Sequence, residues 1–334
     1  MAYIKLNKNA FFHNLDLITK KAGGNEKVAI VLKDNAYGHG LLEIAKLASE
    51  YGIKRAVVRN IAEAKEIENL FDYILILADT PQQKEKFYYT INSIEDLKRF
   101  PTGSNIEFKV DTGMHRNGIM PDELEEAFKI IIKRSLNLKG IFTHFRSADE
   151  LSSELFWQER NFDEVKKRSL ELVERYGLPK PLFHSCNSAA LFRKQRIEDD
   201  FARVGIAAYG YLETDEIFKS PPLKPVLSLW AKRLSSRVLK KGQRVGYGGV
   251  FEADRDMVVS TYDIGYGDGI FRSQKSIVDG KILGRVSMDN IIVEGKQDEI
   301  CVFDDVKRVA QEIGTISYEV LVKLSAALPR VFAN

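Results

Sequence analysis

Over the first 210 residues, short apolar runs rich in β-branched and aromatic side chains alternate with longer stretches of helical periodicity. The runs at 28–32 (VAIVL), 55–58 (RAVV), 73–78 (YILILA), 88–91 (YYTI), 105–110 (NIEFKV), 138–143 (LKGIFT), 181–184 (PLFH) and 201–204 (FARV) predict strands. Residues 41–49, 61–70, 121–133 and 152–176 carry helical patterns between them, and a helix over 7–22 precedes the first strand. Pro121 with Asp122 and Glu123 reads as a helix start, and Gly177 ahead of Pro179 as a stop. Eight strand–helix units predict a (β/α)8 barrel of the TIM type. A doubly wound open sheet is the competing architecture; it would more often carry a glycine-rich dinucleotide loop, and no GxGxxG occurs.

After Tyr211 the pattern changes. Ser220-Pro221-Pro222-Leu223-Lys224-Pro225 reads as a linker, followed by strand-like stretches at 226–239, 256–262, 276–282, 286–293 and 299–303. Helices are expected near 305–313 and 317–325. The expected organisation is a barrel over 1–215 and a second, mainly β domain over 216–334.

Composition narrows the function classes. The chain has 334 residues, 44% hydrophobic and 29% charged, with a formal net charge of +3. So small a charge, mixed in sign along the chain, gives no electrostatic reason to expect nucleic acid or an anionic membrane as partner. Cys186 and Cys301 form neither a disulfide framework nor a CxxC pair, as suits a reducing compartment, and no metal is expected. The N-terminus lacks a signal-peptide pattern, and no apolar run reaches the roughly 20 residues that span a bilayer. The expected location is the cytoplasm.

The candidate chemistry lies at strand ends. Lys33 follows the first barrel strand, Lys109 ends the fifth, His144 ends the sixth, Asn187 and Ser188 follow the seventh, and Arg203 sits on the eighth. In a barrel these ends meet at one mouth, where active sites form. A lysine at such a rim loses solvation, which lowers its pKa toward nucleophilic values and suits Schiff-base chemistry; by itself, a lysine after a strand is equally a surface cap. Gly38 and Gly40 suggest a tight turn into a helix, whose N-terminus is a natural anion site. The Ser188 hydroxyl with the amides of Gly205 and Ile206 would suit a phosphate, while Asn187-Ser188 also reads as a plain helix N-cap.

Eight stretches then carry a family resemblance: Lys33-Asp34-Asn35-Ala36-Tyr37-Gly38-His39-Gly40, Lys109 through Arg116, Phe142-Thr143-His144-Phe145, Asn187-Ser188-Ala189-Ala190, Arg203-Val204-Gly205-Ile206, Gly246-Tyr247-Gly248-Gly249, Gly265 through Gly269, and Gly284 through Asp289. In these the chain resembles bacterial alanine racemases over nearly its whole length. The resemblance implies a pyridoxal 5'-phosphate (PLP) barrel and a β domain, paired as a homodimer whose active sites draw on both subunits. It implies that Lys33 holds PLP covalently, and that Tyr37, Ser188, Gly205 and Ile206 bind its phosphate, with Asn187 beside them. Arg203 would face the pyridine nitrogen, and Arg116 the ring hydroxyl and the substrate carboxylate. Lys109 takes the position that is often carbamylated. Tyr247, Met288 and Tyr266 would come from the partner subunit.

The residue types agree with that chemistry. Racemisation needs a base on each face of one planar carbon, and Lys33 and Tyr247 can serve one face each. A phenol is a poor base at its usual pKa, so positive charge or a hydrogen bond from His144 must assist it. The expected function is interconversion of L- and D-alanine, supplying D-alanine for peptidoglycan. The alternatives are a racemase of another small amino acid such as serine, a PLP decarboxylase, or a non-catalytic PLP carrier. Three departures from the family pattern stand out: Ala326 replaces a phosphate-binding tyrosine, Ser287 a common cysteine, and Arg146 a small residue, adding a cation near the mouth. The chain is also shorter than typical members.

Overall fold

In the computed structural model, which describes residues 1–333, the chain opens on a strand that the sequence did not announce, β1 (Tyr3–Leu6). The expected helix follows it as Lys8–Ala22, its start fixed by Asn7, whose Oδ1 accepts from Ala10 N at 2.9 Å. Then come β2 (Val28–Val31), β3 (Arg55–Val58), β4 (Tyr73–Ile76), β5 (Tyr88–Ile91), β6 (Asn105–Lys109), β7 (Asn137–Phe142), β8 (Leu182–His184) and β9 (Ala202–Val204). All eight are parallel, in the order β8-β7-β6-β5-β4-β3-β2-β9. Strands such as VAIV and YILI are buried at every position, because helices cover one face and the barrel interior the other. The last seam, between β8 and β9, has no regular ladder. Asp200 N donates to Phe183 O and Arg203 N to Cys186 O, both at 2.9 Å, and these bonds bring the (β/α)8 barrel to closure.

The helices fall close to expectation. Pro121–Glu123 is a 3-10 turn leading into Leu124–Lys133, and Glu154–Tyr176 ends on Gly177 in the left-handed conformation at φ 64°.

One compact unit comprises residues 12–33 and 44–223; the other comprises Met1–Phe11, Asp34–Glu43 and the chain from Lys224 onward. Two segments that precede the linker in sequence thus group with the part that follows it. The second unit contains a six-stranded sheet built on the long strand β10 (Leu227–Leu239). The remaining strands are β11 (Arg244–Val245), β12 (Phe251–Glu252), β13 (Met257–Tyr262), β14 (Ser276–Ile277), β15 (Gly280–Lys281), β16 (Ile291–Glu294), β17 (Glu299–Phe303) and β18 (Arg330–Phe332). The sheet order is β16-β13-β10-β1-β18, with β17 also on β10. β1 is invisible to local pattern because its partners, β10 and β18, lie at the far end of the sequence.

Two expected strands are shorter than predicted. The stretch 276–282 folds back on itself as the β14–β15 hairpin, and 286–293 keeps only β16. A turn in which Ser287 N donates to Asn290 O at 2.9 Å interrupts the second. The expected helix 317–325 ends at Val322.

The second unit also holds an unusual backbone segment. Asp34, Asn35, Ala36 and Tyr37 all have φ between 50° and 56°, forming a left-handed turn directly after Lys33. Each such residue costs on the order of 1–2 kcal/mol, and local bonds compensate. Asn35 Oδ1 accepts from Leu41 N at 2.8 Å and Asn35 O from Gly40 N at 3.0 Å, while Arg330 Nη2 donates to Gly38 O at 2.9 Å. Gly38 is required here, because a Cβ would sit 2.1 Å from the Leu321 carbonyl oxygen.

Candidate active site

Because the barrel strands are parallel, their carboxyl ends share one rim, and the structure gathers the charged candidates of the barrel unit there. Lys109 is the last residue of β6, and Arg203 is the central residue of β9. Lys33 and His144 each lie two residues beyond a strand end. Their proximity shows in His144, whose pKa falls to about 3: burial is the largest cause, followed by the positive charges of Arg203, Lys109, Arg116 and Lys33. The imidazole is therefore neutral at physiological pH. Lys109 is lowered to about 8 by burial and by the neighbouring cations Arg116 and Arg203, against the pull of Asp111. Burial works against the charge of Asp111, yet amide N–H donors hold its carboxyl below the usual range, Gly113 N at 2.9 Å and His115 N at 3.1 Å among them.

Arg203 is tightly held. Nη2 donates to Thr143 O at 2.7 Å and Nη1 to His184 O at 3.0 Å. Burial lowers its pKa to about 10, which leaves the guanidinium charged.

The predicted phosphate groups also meet. Ser188 Oγ accepts from Gly205 N at 3.2 Å and from Ala207 N at 3.4 Å, which brings the hydroxyl to the turn that opens at Gly205. Ile206 is buried at the start of the 3-10 turn Ile206–Tyr209. Asn187 acts as the N-cap of Ser188–Arg193, its Oδ1 accepting from Ala190 N at 2.9 Å.

Arg116 is exposed on the loop that follows β6. Asn161 Nδ2 anchors this loop through Thr112 O, and Arg146 Nη1 through Gly113 O, each at 3.0 Å. Arg146 is also ion-paired with Glu154. The cation expected near the mouth is thus tethered to the loop and paired with a carboxylate.

The remaining candidates lie in the second unit. Tyr37 is buried with its ring 6.0 Å from that of Tyr318, and burial drives its hydroxyl pKa well above the usual value. Three loops come together around the others. Gly267 N donates to Met288 O at 2.8 Å and Tyr266 N to Ser287 O at 3.0 Å. Gly284 approaches the Val245 carbonyl so closely that a Cβ would lie 3.0 Å from its oxygen. Tyr247, Tyr266 and Met288 are thereby presented at the surface, with Tyr247 68% exposed. Large exposed side chains on ordered turns suit contact with another surface.

The sequence reading missed Glu107 and His184, which have no accessible surface. A signal was available: Glu107 lies two residues before Lys109 on β6, and the two-residue period of a strand puts both side chains on one face.

The donor set fits PLP. The positive charges of Arg203, Lys109, Arg116 and Lys33 all act on one buried, neutral imidazole, an arrangement that favours an anionic ligand. A lysine stands among them for an aldehyde, and the Ser188 hydroxyl, which accepts at the turn opening on Gly205, keeps its own proton to donate to a phosphate.

The family "Alanine racemase, N-terminal domain" matches residues 6–213, and "Alanine racemase, C-terminal domain" matches 226–332. The alanine racemase of a Nitratiruptor species is 58% identical over 334 residues, all of both chains. Among solved structures, alanine racemase of Clostridium difficile 630 aligns with TM-score 0.89 at 29% identity, covering 99% of this chain and 95% of that one. Alanine racemase from Bartonella henselae with covalently bound pyridoxal phosphate aligns with TM-score 0.83 at 26% identity, covering 99% of each chain.

Proposed function

The chain belongs to the alanine racemase family and its activity is interconversion of the alanine enantiomers; from that premise we propose that it works with PLP held through Lys33 and with two opposed proton carriers. The family assignment disfavours the decarboxylase and carrier alternatives.

When bound, PLP supplies an electron sink that acidifies the Cα–H of an attached amino acid. The protein's part is placement and proton transfer. Ser188 Oγ and the backbone amides around Gly205 and Ile206 would hold the phosphate. Arg203, fixed by backbone carbonyls and charged, would meet the ring nitrogen and, as a cation, would disfavour its protonation. Arg116 binds the substrate carboxylate, and a carbamylated Lys109 would pair with it. Lys33 Nζ moves the Cα proton on one face. The phenol of the partner subunit's Tyr247 moves it on the other, assisted by a hydrogen bond from neutral His144. Tyr266 and Met288 of the partner subunit close the substrate space.

The exposed cluster of Tyr247, Tyr266 and Met288 supports a homodimer with shared sites. Among the described residues no helix is long and apolar enough to cross a membrane, and a cytoplasmic location supplying D-alanine for peptidoglycan belongs to the same proposal.

The observation that carries this reading is the convergence of Lys33, Lys109, Arg116 and Arg203 on His144. Its test is a panel of single-enantiomer amino acids incubated with the PLP-loaded protein and read by chiral separation. Alanine racemised from both sides supports the reading; racemisation of serine in preference to alanine, or none at all, overturns it.

A further inference from the structure

Glu107 is a carboxylate sealed inside the barrel, and both of its oxygens are engaged. Oε1 accepts from Tyr73 Oη at 2.6 Å, and Oε2 lies 2.7 Å from His184 Nε2. The other imidazole nitrogen, Nδ1, lies 2.5 Å from Arg203 Nη1. A guanidinium has only N–H groups to offer, so Arg203 donates and Nδ1 accepts. Nε2 must then carry the proton that goes to Glu107, because a doubly protonated ring would set one N–H against another at Nδ1. The ring cannot turn to exchange these roles easily. It is stacked between Phe142 and Phe201, with centroids 4.7 Å and 4.3 Å away and interplanar angles of 13° and 23°.

The result is a directional chain in which Arg203 donates to His184, and His184 and Tyr73 donate to Glu107. A carboxylate at one end of an imidazole sets its tautomer and strengthens the acceptor at the other end. It also supplies the nearby negative charge that a buried guanidinium needs. We propose that Glu107 is a positioning residue which, acting through the Nε2–H tautomer of His184, fixes the orientation and charge of Arg203 toward the cofactor ring. This rests on the reading that Arg203 meets the ring nitrogen of PLP. Tyr73 completes the device by occupying the second carboxylate oxygen.

Two measurements test it. The first needs no substituted residue at the carboxylate: nitrogen-15 NMR of the imidazoles in the full chain, with and without PLP. There are five histidines, so His184→Gln assigns the signal. The proposal requires a bare Nδ1 and a protonated Nε2; the opposite tautomer or an imidazolium overturns it.

The second is Glu107→Gln, which keeps the side-chain volume and can still accept from His184 and donate to Tyr73, but removes the charge. The expected result is a shifted absorption band of bound PLP and a kcat about tenfold lower, the order of the difference between charged and neutral hydrogen bonds, with KM for alanine and the melting temperature little changed. In a His184→Leu background the same substitution should add nothing, since the relay is already cut. An unmoved band, or effects that multiply in the double variant, overturns the proposal.

Failure of the underlying reading looks different. Arg203→Gln would then leave the PLP band in place, removing the proposal's premise, while the imidazole tautomer is still read independently from NMR.

Discussion

Arg203 Nη2 donates to the backbone carbonyl of Thr143 at 2.7 Å, so the guanidinium on β9 is tied to the residue immediately before His144. The bond explains how a cation on one strand and an imidazole after another come to share a buried rim. It also sets a positive charge near that imidazole, which adds to the burial that keeps it uncharged.

The neutral state of His144 has a consequence for acid stability. Its pKa falls from 6.5 to about 3, chiefly through burial and then through Arg203, Lys109, Arg116 and Lys33. Below pH 6.5 the unfolded chain therefore takes up a proton that the folded one refuses until about pH 3. Folding stability should fall as pH drops through that window. Buried His39, lowered to about 4, acts in the same direction. His144→Gln should flatten the loss, as read from denaturant midpoints of the cofactor-free protein between pH 4 and 6.5. An unchanged slope would contradict the assignment.

The left-handed turn after Lys33 is a second point of test. Asn35 tolerates φ 56° better than most residues and its Oδ1 accepts from Leu41 N. Asn35→Ala should cost about 2 kcal/mol of stability, combining strain with a lost cap, and Asn35→Gly should cost less because glycine keeps the backbone freedom. Equal losses in chemical denaturation would argue against the strained turn.

Tyr247 is largely exposed, so Tyr247→Phe should change stability by no more than about 0.5 kcal/mol. If it serves one face of the substrate, the variant loaded with PLP should still exchange the Cα hydrogen of one alanine enantiomer with deuterated solvent while scarcely racemising it. Exchange abolished equally for both enantiomers would exclude a one-face role.

Lys109, lowered to about 8, is neutral often enough near that pH to react with carbon dioxide, which only the free amine can do. Carbon-13 NMR under labelled carbon dioxide should show a carbamate signal that grows as pH rises toward 8 and is absent from Lys109→Arg. The same signal in the variant would place the modification elsewhere.

Much of the barrel was legible because its strands are short β-branched runs bounded by turn residues, and the strand ends led directly to Lys33, Lys109, His144 and Arg203. What local pattern hid was whatever depends on distant partners or on backbone sign. β1 is only four residues long and reads as a prelude to the helix until β10 and β18 flank it. Asp34 and Asn35 tolerate positive φ singly, but Ala36 and Tyr37 ordinarily avoid it, so the sequence does not mark a run of four. Glu107, His184 and Tyr73 come from three strands, and only folding reveals that they bond in sequence. Arg146 reads as a cation near the mouth, and its pairing with Glu154 emerges only in the fold.

The proposed mechanism stands on Lys33 as the residue that carries the cofactor. Borohydride reduction of the PLP-loaded protein followed by peptide mapping tests it most directly. The modified peptide should contain Lys33 and no other labelled lysine, and Lys33→Ala should lose the label together with the visible absorption. A label on Lys109 or any other lysine, or none at all, would mean that Lys33 does not hold the cofactor.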